Sequence, residues 1–117
     1  MHQSSNELIE QIISRGSKRC VNERLKTPVT PRDLGLVARH IGMGFEYIGI
    51  ELGLSVVAIQ QGRVAHPCSM YMQIFIILTK WKQWNGSSAT YLDLVKALWT
   101  CKERCTIEWE DILNILQ

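Results

Sequence analysis

Three predicted helices follow one another in residues 30–59, which read TPRDLGLVARHIGMGFEYIGIELGLSVVAI. Thr30, followed by a proline, is a typical helix start, because its hydroxyl can accept from free amides and proline suits the first helical position. Gly42 and Gly53 end the first two apolar runs, and Ser55 is placed to cap the third. The stretch therefore predicts short helices joined by tight turns.

Apolar residues keep this helical spacing as far as Leu116. The predicted helices cover residues 30–41, 45–52, 55–62 and 68–84, with a fifth capped by Thr90 and a sixth beginning at Thr106. No run of alternating apolar and polar residues predicts a strand. The fold class predicted from these patterns is all-α, with six short helices.

Composition indicates one soluble globular domain, since 46% of the 117 residues are hydrophobic and 21% are charged. The net charge of +2 is too balanced for a protein that binds nucleic acid through its phosphates. The longest apolar stretch falls well short of the roughly 20 residues that a membrane span needs, and no signal peptide is visible. Four irregularly spaced cysteines favour free thiols in a reducing compartment. We therefore expect a cytoplasmic protein with no membrane partner, the nucleus being the alternative compartment.

The N-terminal part divides into a helix and a linker. Residues 6–15 predict an amphipathic helix with one apolar stripe, formed by Leu8, Ile9, Ile12 and Ile13. Residues 17–29 are polar, basic and without periodicity, which predicts a linker or loosely ordered arm. The predicted boundary lies between residues 1–29 and a domain of residues 30–117.

The sequence offers only weak candidates for catalytic residues and metal ligands. The three histidines stand far apart and without a neighbouring nucleophile, and His40 is expected to end the first helix as a charged group. A zinc site could be drawn from Cys101, Cys105, His66 and Cys68, but their spacing fits no zinc-finger pattern. We therefore expect no catalytic, cofactor or metal site, and buried cysteines of structural character.

Residues 48–59 are similar to the helix-turn-helix of DNA-binding proteins, which also joins two helices through a glycine turn and a capping serine. Base reading needs Arg, Lys, Asn or Gln near the start of the second helix. Here that start is apolar, and only Gln60, Gln61 and Arg63 are suitable. DNA binding stays as a disfavoured alternative.

The fourth predicted helix is apolar on two faces, which is unusual for a helix at a protein surface. Phe75 and Ile76 lie on the face away from the core stripe. Three interpretations stay open: the N-terminal helix covers this face, the helix is central in the fold, or the face is an exposed patch that binds a partner. We hypothesise that residues 6–15 dock on Phe75 and Ile76.

The order of these pieces resembles a death domain, and among death domains the adaptor type. The matching residues, over about residues 30–116, are Ile41-Gly42, Phe45 where the family usually has tryptophan, Leu52-Gly53-Leu54-Ser55 with Ile59, His66-Pro67, Leu78, Trp81, Lys82, Ala89-Thr90, Leu94 and Ala97-Leu98. The resemblance implies a death fold, a six-helix antiparallel bundle of Greek-key type, here with the extra N-terminal helix.

The resemblance also implies a non-enzymatic adaptor that binds other death domains in apoptotic or innate-immune signalling and can self-associate. A structural scaffold domain in a larger assembly is a further alternative. The candidate protein-interaction residues are Arg32, Arg39, Glu46, Glu51, Gln60, Gln61, Arg63, Phe75, Ile76, Lys80, Lys82, Trp84, Lys102, Glu103 and Arg104. Because such surfaces are largely charged, electrostatics is expected to select the partner.

Overall fold

The structure of the protein is a computed structural model that describes residues 23–116 together with Glu10. The described residues form six α-helices and no strand. The helices are α1 (Pro31–Ala38), α2 (Phe45–Glu51), α3 (Val56–Ala65), α4 (Met70–Asn85), α5 (Tyr91–Thr100) and α6 (Trp109–Leu116). Single turns of 3-10 helix cover Glu23–Lys26 and Gly86–Ser88. The prediction of an all-α, six-helix bundle is confirmed.

Side-chain caps start four of these helices. The hydroxyl oxygens of Thr30, Ser55 and Thr90 each accept a hydrogen bond from the amide three residues later, at 3.1 to 3.2 Å. These are the three caps expected from the sequence, and each satisfies an amide that the helix leaves free. The hydroxyl of Ser69 caps α4 in the same way, so that α4 begins at Met70 and not at residue 68.

Helix α4 is the centre of the bundle, and α1, α2 and α3 all pack on it. Its buried stripe consists of Ile74, Ile77, Leu78 and Trp81. This stripe joins the buried residues of α5 and α6 in one hydrophobic cluster. At 16 residues α4 is the longest of the described helices, and none of them has the length and apolar character needed to span a membrane.

Residues that follow α1 pair with residues that precede α6. The sequence placed Ile41 in the first helix and the start of the sixth at Thr106, whereas α1 ends at Ala38 and α6 begins at Trp109. Ile41 instead forms an isolated antiparallel bridge with Ile107. Both predicted boundaries were wrong because this pairing is non-local and apolar periodicity cannot reveal it. Helix α3 also runs past its predicted end at residue 62.

Residues 23–29 belong to the packed domain, although the sequence predicted a linker there. The side chains of Leu25 and Val29 are each only 2% exposed. The Val29 amide donates to the Ala89 carbonyl at 2.8 Å, which ties this segment to the start of α5. The Arg24 guanidinium lies 2.7 Å from the Asp33 carboxylate. The packed domain therefore begins before residue 30.

The N-terminal helix predicted over residues 6–15 lies outside the described residues except for Glu10. Its docking on α4 stays a prediction, as does the role of the remaining N-terminal residues.

Alanine substitutions at two glycines distinguish the cost of backbone strain at positive φ from the cost of a steric collision by the added Cβ. Gly44 and Gly53 have φ values of +93° and +95°, which disfavour any residue with a Cβ. A Cβ at Gly44 would collide with the Arg104 carbonyl oxygen, whereas a Cβ at Gly53 would meet nothing within 4 Å. We expect Gly53→Ala to lower the free energy of unfolding by about 1–2 kcal/mol through strain alone. Gly44→Ala should cost at least about 2 kcal/mol more, because backbone must move.

Urea denaturation followed by far-UV circular dichroism measures both variants. Equal losses of stability would show that the turn before α2 does not pack against the residues after α5 as described.

Candidate protein-interaction surfaces

The candidate residues lie on several separate parts of the bundle surface. Those exposed are Arg32, Arg39, Glu51, Gln60, Gln61, Arg63, Trp84, Lys102, Glu103 and Arg104, and those half-buried are Glu46, Phe75, Ile76, Lys80 and Lys82. Some of these residues contact one another in the structure, and others lie apart. The structure shows the position and exposure of each candidate, and the role of each in binding stays a prediction.

An ion pair joins α2 to α3. The Arg63 guanidinium lies 3.4 Å from the Glu46 carboxylate, with about half of the arginine side chain exposed. The pair holds opposite charges at the edge of a shallow groove lined by Met43, Met70 and Gln73. Because the pair is partly exposed, its contribution to stability is small, on the order of 1 kcal/mol or less. Its charges remain accessible to a partner.

The outward face of α3 is apolar, which the sequence reasoning missed. Val57 is 59% and Val64 is 77% exposed, and both lie on one groove with Gln60 and Gln61. The buried residues on the inward face of α3 are Ala58, Ile59 and Gly62. The seven-residue spacing of the two valines was the available signal, since it places them on one helical face.

The loop between α5 and α6 places cations over aromatic rings. The Lys102 ammonium nitrogen lies 3.6 Å from the centroid of the Trp99 ring, and the Arg104 guanidinium lies 5.4 Å from that of Tyr47. Trp99 in turn contacts Trp109 edge to face, with ring centroids 5.9 Å apart. These contacts restrict the two cations, so this loop presents positive charge in a defined place.

Helix α1 carries two further cations. Arg32 and Arg39 are exposed, and neither forms an ion pair with another described residue. Exposed charges of this kind are available to a partner without first breaking an internal contact.

Phe75 and Ile76 on α4 are half-buried because neighbouring helices approach closely at glycines. A Cβ at Gly35 of α1 would lie 3.7 Å from the Phe75 ring, and one at Gly62 of α3 would lie 3.5 Å from an Ile76 methyl. Of the three interpretations of this face, the contacts favour a helix central in the fold. The extent to which the N-terminal helix covers it stays open.

The C-terminal part of α4 uses its lysines within the domain. The Lys80 ammonium donates to the Ala58 carbonyl at 3.4 Å, and that of Lys82 donates to the Gly86 carbonyl at 3.0 Å. Trp84 has no such engagement and is 61% exposed. Of these three candidates, Trp84 is therefore the side chain most available to a partner.

The thiols considered as zinc ligands lie in different surroundings. Cys101 and Cys105 are buried, whereas Cys68 is exposed. Burial, together with the nearby Cys101, raises the pKa of Cys105 to about 11. Burial also raises the pKa of Cys101, assisted by the negative charge of Glu51. Raised pKa values favour neutral thiols, which are poor metal ligands and poor nucleophiles.

One group of metal-capable side chains was not expected from the sequence. Among the described residues, His40, Glu108 and Asp111 place a ring nitrogen and two carboxylate oxygens within 4.8 Å of one another. His40 lies just beyond the end of α1, where its amide donates to the Val37 carbonyl at 2.9 Å, and its ring nitrogen faces Glu108. That it ends the helix as a charged group stays a prediction. Glu108 and Asp111 are three residues apart, but their closeness to His40 depends on a pairing across 68 residues. No sequence signal indicates it.

Comparison with known proteins finds a partial relative. A segment of 57 residues, 49% of the chain, is 39% identical to ankyrin-3 from Mus musculus and equally to ankyrin-3 from Rattus norvegicus. The match covers 3% and 2% of those two proteins, respectively. No protein-family model matches the chain.

Thiol labelling tests the placement of the cysteines. At pH 8 we expect iodoacetamide to label Cys68 and to leave Cys101 and Cys105 unmodified, because their raised pKa values keep them protonated and burial blocks access. Above the unfolded thiol pKa near 9, ionisation favours the unfolded chain, so stability should fall as pH rises towards 11. Peptide mass spectrometry reads the labels, and urea-unfolded protein is the positive control. Rapid labelling of Cys105 in folded protein would contradict its burial.

Proposed function

We propose that this chain is a non-enzymatic interaction domain of the death-domain type, which binds other death domains to build a signalling assembly in the cytoplasm. The order of the six helices agrees with the resemblance in the sequence. The partial match to ankyrin-3, a much larger protein, also supports an interaction role. The observation that carries the proposal is the outward face of α3, where exposed valines lie beside an accessible ion pair.

The valines supply the apolar part of that surface. A helix that faced only water would carry charges where α3 carries Val57 and Val64. Exposed apolar area rimmed by polar side chains is typical of protein-protein contacts. The rim here consists of Gln60, Gln61 and Arg63.

The charged candidates supply selectivity. Arg32 and Arg39 on α1, and Lys102 and Arg104 in the loop before α6, are exposed cations on different elements. Complementary charge on a partner raises the association rate, and like charge excludes a wrong partner. Because the surfaces differ from one another, contacts between copies or relatives would be heterologous, and such contacts propagate an assembly rather than close it.

The interior serves stability. Every buried side chain among the described residues is hydrophobic, cysteines included. The charged side chains of these residues are all exposed or half-buried, so they remain available at the surface, where a binding domain uses them.

DNA binding is the alternative that the α2–α3 geometry raises. Helix α3 follows α2 after a turn of four residues, as a recognition helix would. Its exposed residues near the start are valines, and its one arginine is paired with Glu46. A duplex-DNA mobility shift at physiological salt separates this alternative from homotypic binding. We expect no shift.

Charge reversal tests the proposal. We expect Arg39→Glu and Arg63→Glu each to reduce capture of death-domain partners at least tenfold, because each places a negative charge where the partner meets a positive one. Lys96→Glu is the matched control, since Lys96 is exposed on α5 and outside the candidate set. Pull-down against a panel of purified death domains measures capture, and circular dichroism checks that the helices remain.

Light scattering on the unmodified chain, alone and with a captured partner, reports the size of the assembly. Undiminished capture by both Arg39→Glu and Arg63→Glu would refute these surfaces. Capture of no death domain by the unmodified chain would refute the function itself.

A further inference from the structure

A histidine and two carboxylates converge where the chain leaving α1 meets the start of α6. The His40 Nδ1 atom lies 2.8 Å from a Glu108 carboxylate oxygen and 3.9 Å from an Asp111 carboxylate oxygen. About a quarter of the His40 side chain is exposed, and more than half of each carboxylate side chain is exposed. The three groups are therefore close together and open to an ion from solvent.

The geometry points to a binding site for a divalent transition-metal ion of the Zn²⁺ class at His40, Glu108 and Asp111. A tetrahedral ion with bonds of about 2.1 Å holds its ligands about 3.4 Å apart. The two distances from His40 bracket this spacing, and all three ligand atoms lie within 4.8 Å of one another, so the adjustment that the ion requires is small. One imidazole and two carboxylates offer N and O ligands that suit zinc, and the fourth position stays open to water.

Backbone contacts hold the two segments together independently of these side chains. The Glu108 amide donates to the His40 carbonyl at 2.9 Å, and the Gly42 amide donates to the Thr106 carbonyl at 2.8 Å. The bridge between Ile41 and Ile107 lies between these two bonds. Because the ligands are thus positioned before the ion arrives, little conformational entropy is lost on binding. Substitution of a ligand side chain should also leave the fold intact.

Charge favours a dication at this place. The two carboxylates bring two negative charges, which a dication neutralises. Glu110, in the first turn of α6, adds a third negative charge nearby. Without metal the same atoms form an ion pair when His40 is protonated, so protons and metal compete for the imidazole.

Titration of the full chain with Zn²⁺ tests the site. Cys20 and Cys68 are first replaced by serine, because thiolates elsewhere would bind the same ion. In this background, calorimetry at pH 7.5 should show one site, and Zn²⁺ should raise the melting temperature. His40→Gln, Glu108→Gln and Asp111→Asn should each weaken the affinity about tenfold or more. The matched controls His66→Gln and Glu103→Gln should not.

The histidine resonances give a second readout that does not depend on stability. In two-dimensional NMR, Zn²⁺ should shift the ring signals of His40 and leave those of His66 in place. Equal Zn²⁺ affinity in the ligand variants and the background would overturn the site, and so would ring shifts confined to His66 or His2.

Discussion

Close packing of three helices around α4 is the constraint on which the rest of the structure depends. Glycines permit it: Gly35 lets α1 approach Phe75, Gly62 lets α3 approach Ile76, and Gly49 of α2 faces both neighbours at once. A Cβ at Gly49 would lie 2.9 Å from the terminal methyl of Ile59 and 3.2 Å from a methyl of Ile77. Both contacts are tighter than ordinary van der Waals packing, so the bundle has little room to accommodate a larger residue there. Phe75 and Ile76, on the second apolar face of α4, are thereby half-buried.

This packing also determines which side chains stay exposed and available for binding. Helix α3 presents only a narrow stripe to α4, so its valines on the opposite side stay exposed. The loop before α6 holds its cations against Trp99 and Tyr47. The proposed interaction surfaces therefore follow from the packing. The small interior buries one face of each helix, and the other faces carry the side chains that we propose bind partners. The proposed metal site arises at a junction of the same fold, where two distant segments meet.

Local signals could be predicted from the sequence, and non-local pairings could not. The caps at Thr30, Ser55 and Thr90 depend on residues three positions apart, and all three were expected correctly. The burial of Val29 depends on a hydrogen bond to Ala89, and the place of Ile41 depends on Ile107. Pairings at such separations leave no trace in apolar periodicity, which is why residues 23–29 were expected to be a linker. For the same reason the sequence supplied candidate charges for the binding surfaces but gave no indication that His40 lies beside Glu108.

The most direct test of the central packing is the effect of Gly49→Ala in two backgrounds, measured as the free energy of unfolding in urea. In the unmodified chain we expect a loss of about 1–3 kcal/mol, because the added methyl overpacks against Ile59. In an Ile59→Val background the closest atom, at 2.9 Å, is gone, whereas the contacts of 3.1 Å to residue 59 and 3.2 Å to Ile77 remain, so alanine should still destabilise but by about 1 kcal/mol less. Packing around α4 as described predicts this smaller loss. The same loss in both backgrounds would show that α2 and α3 do not meet at Gly49, and would contradict the packing around α4.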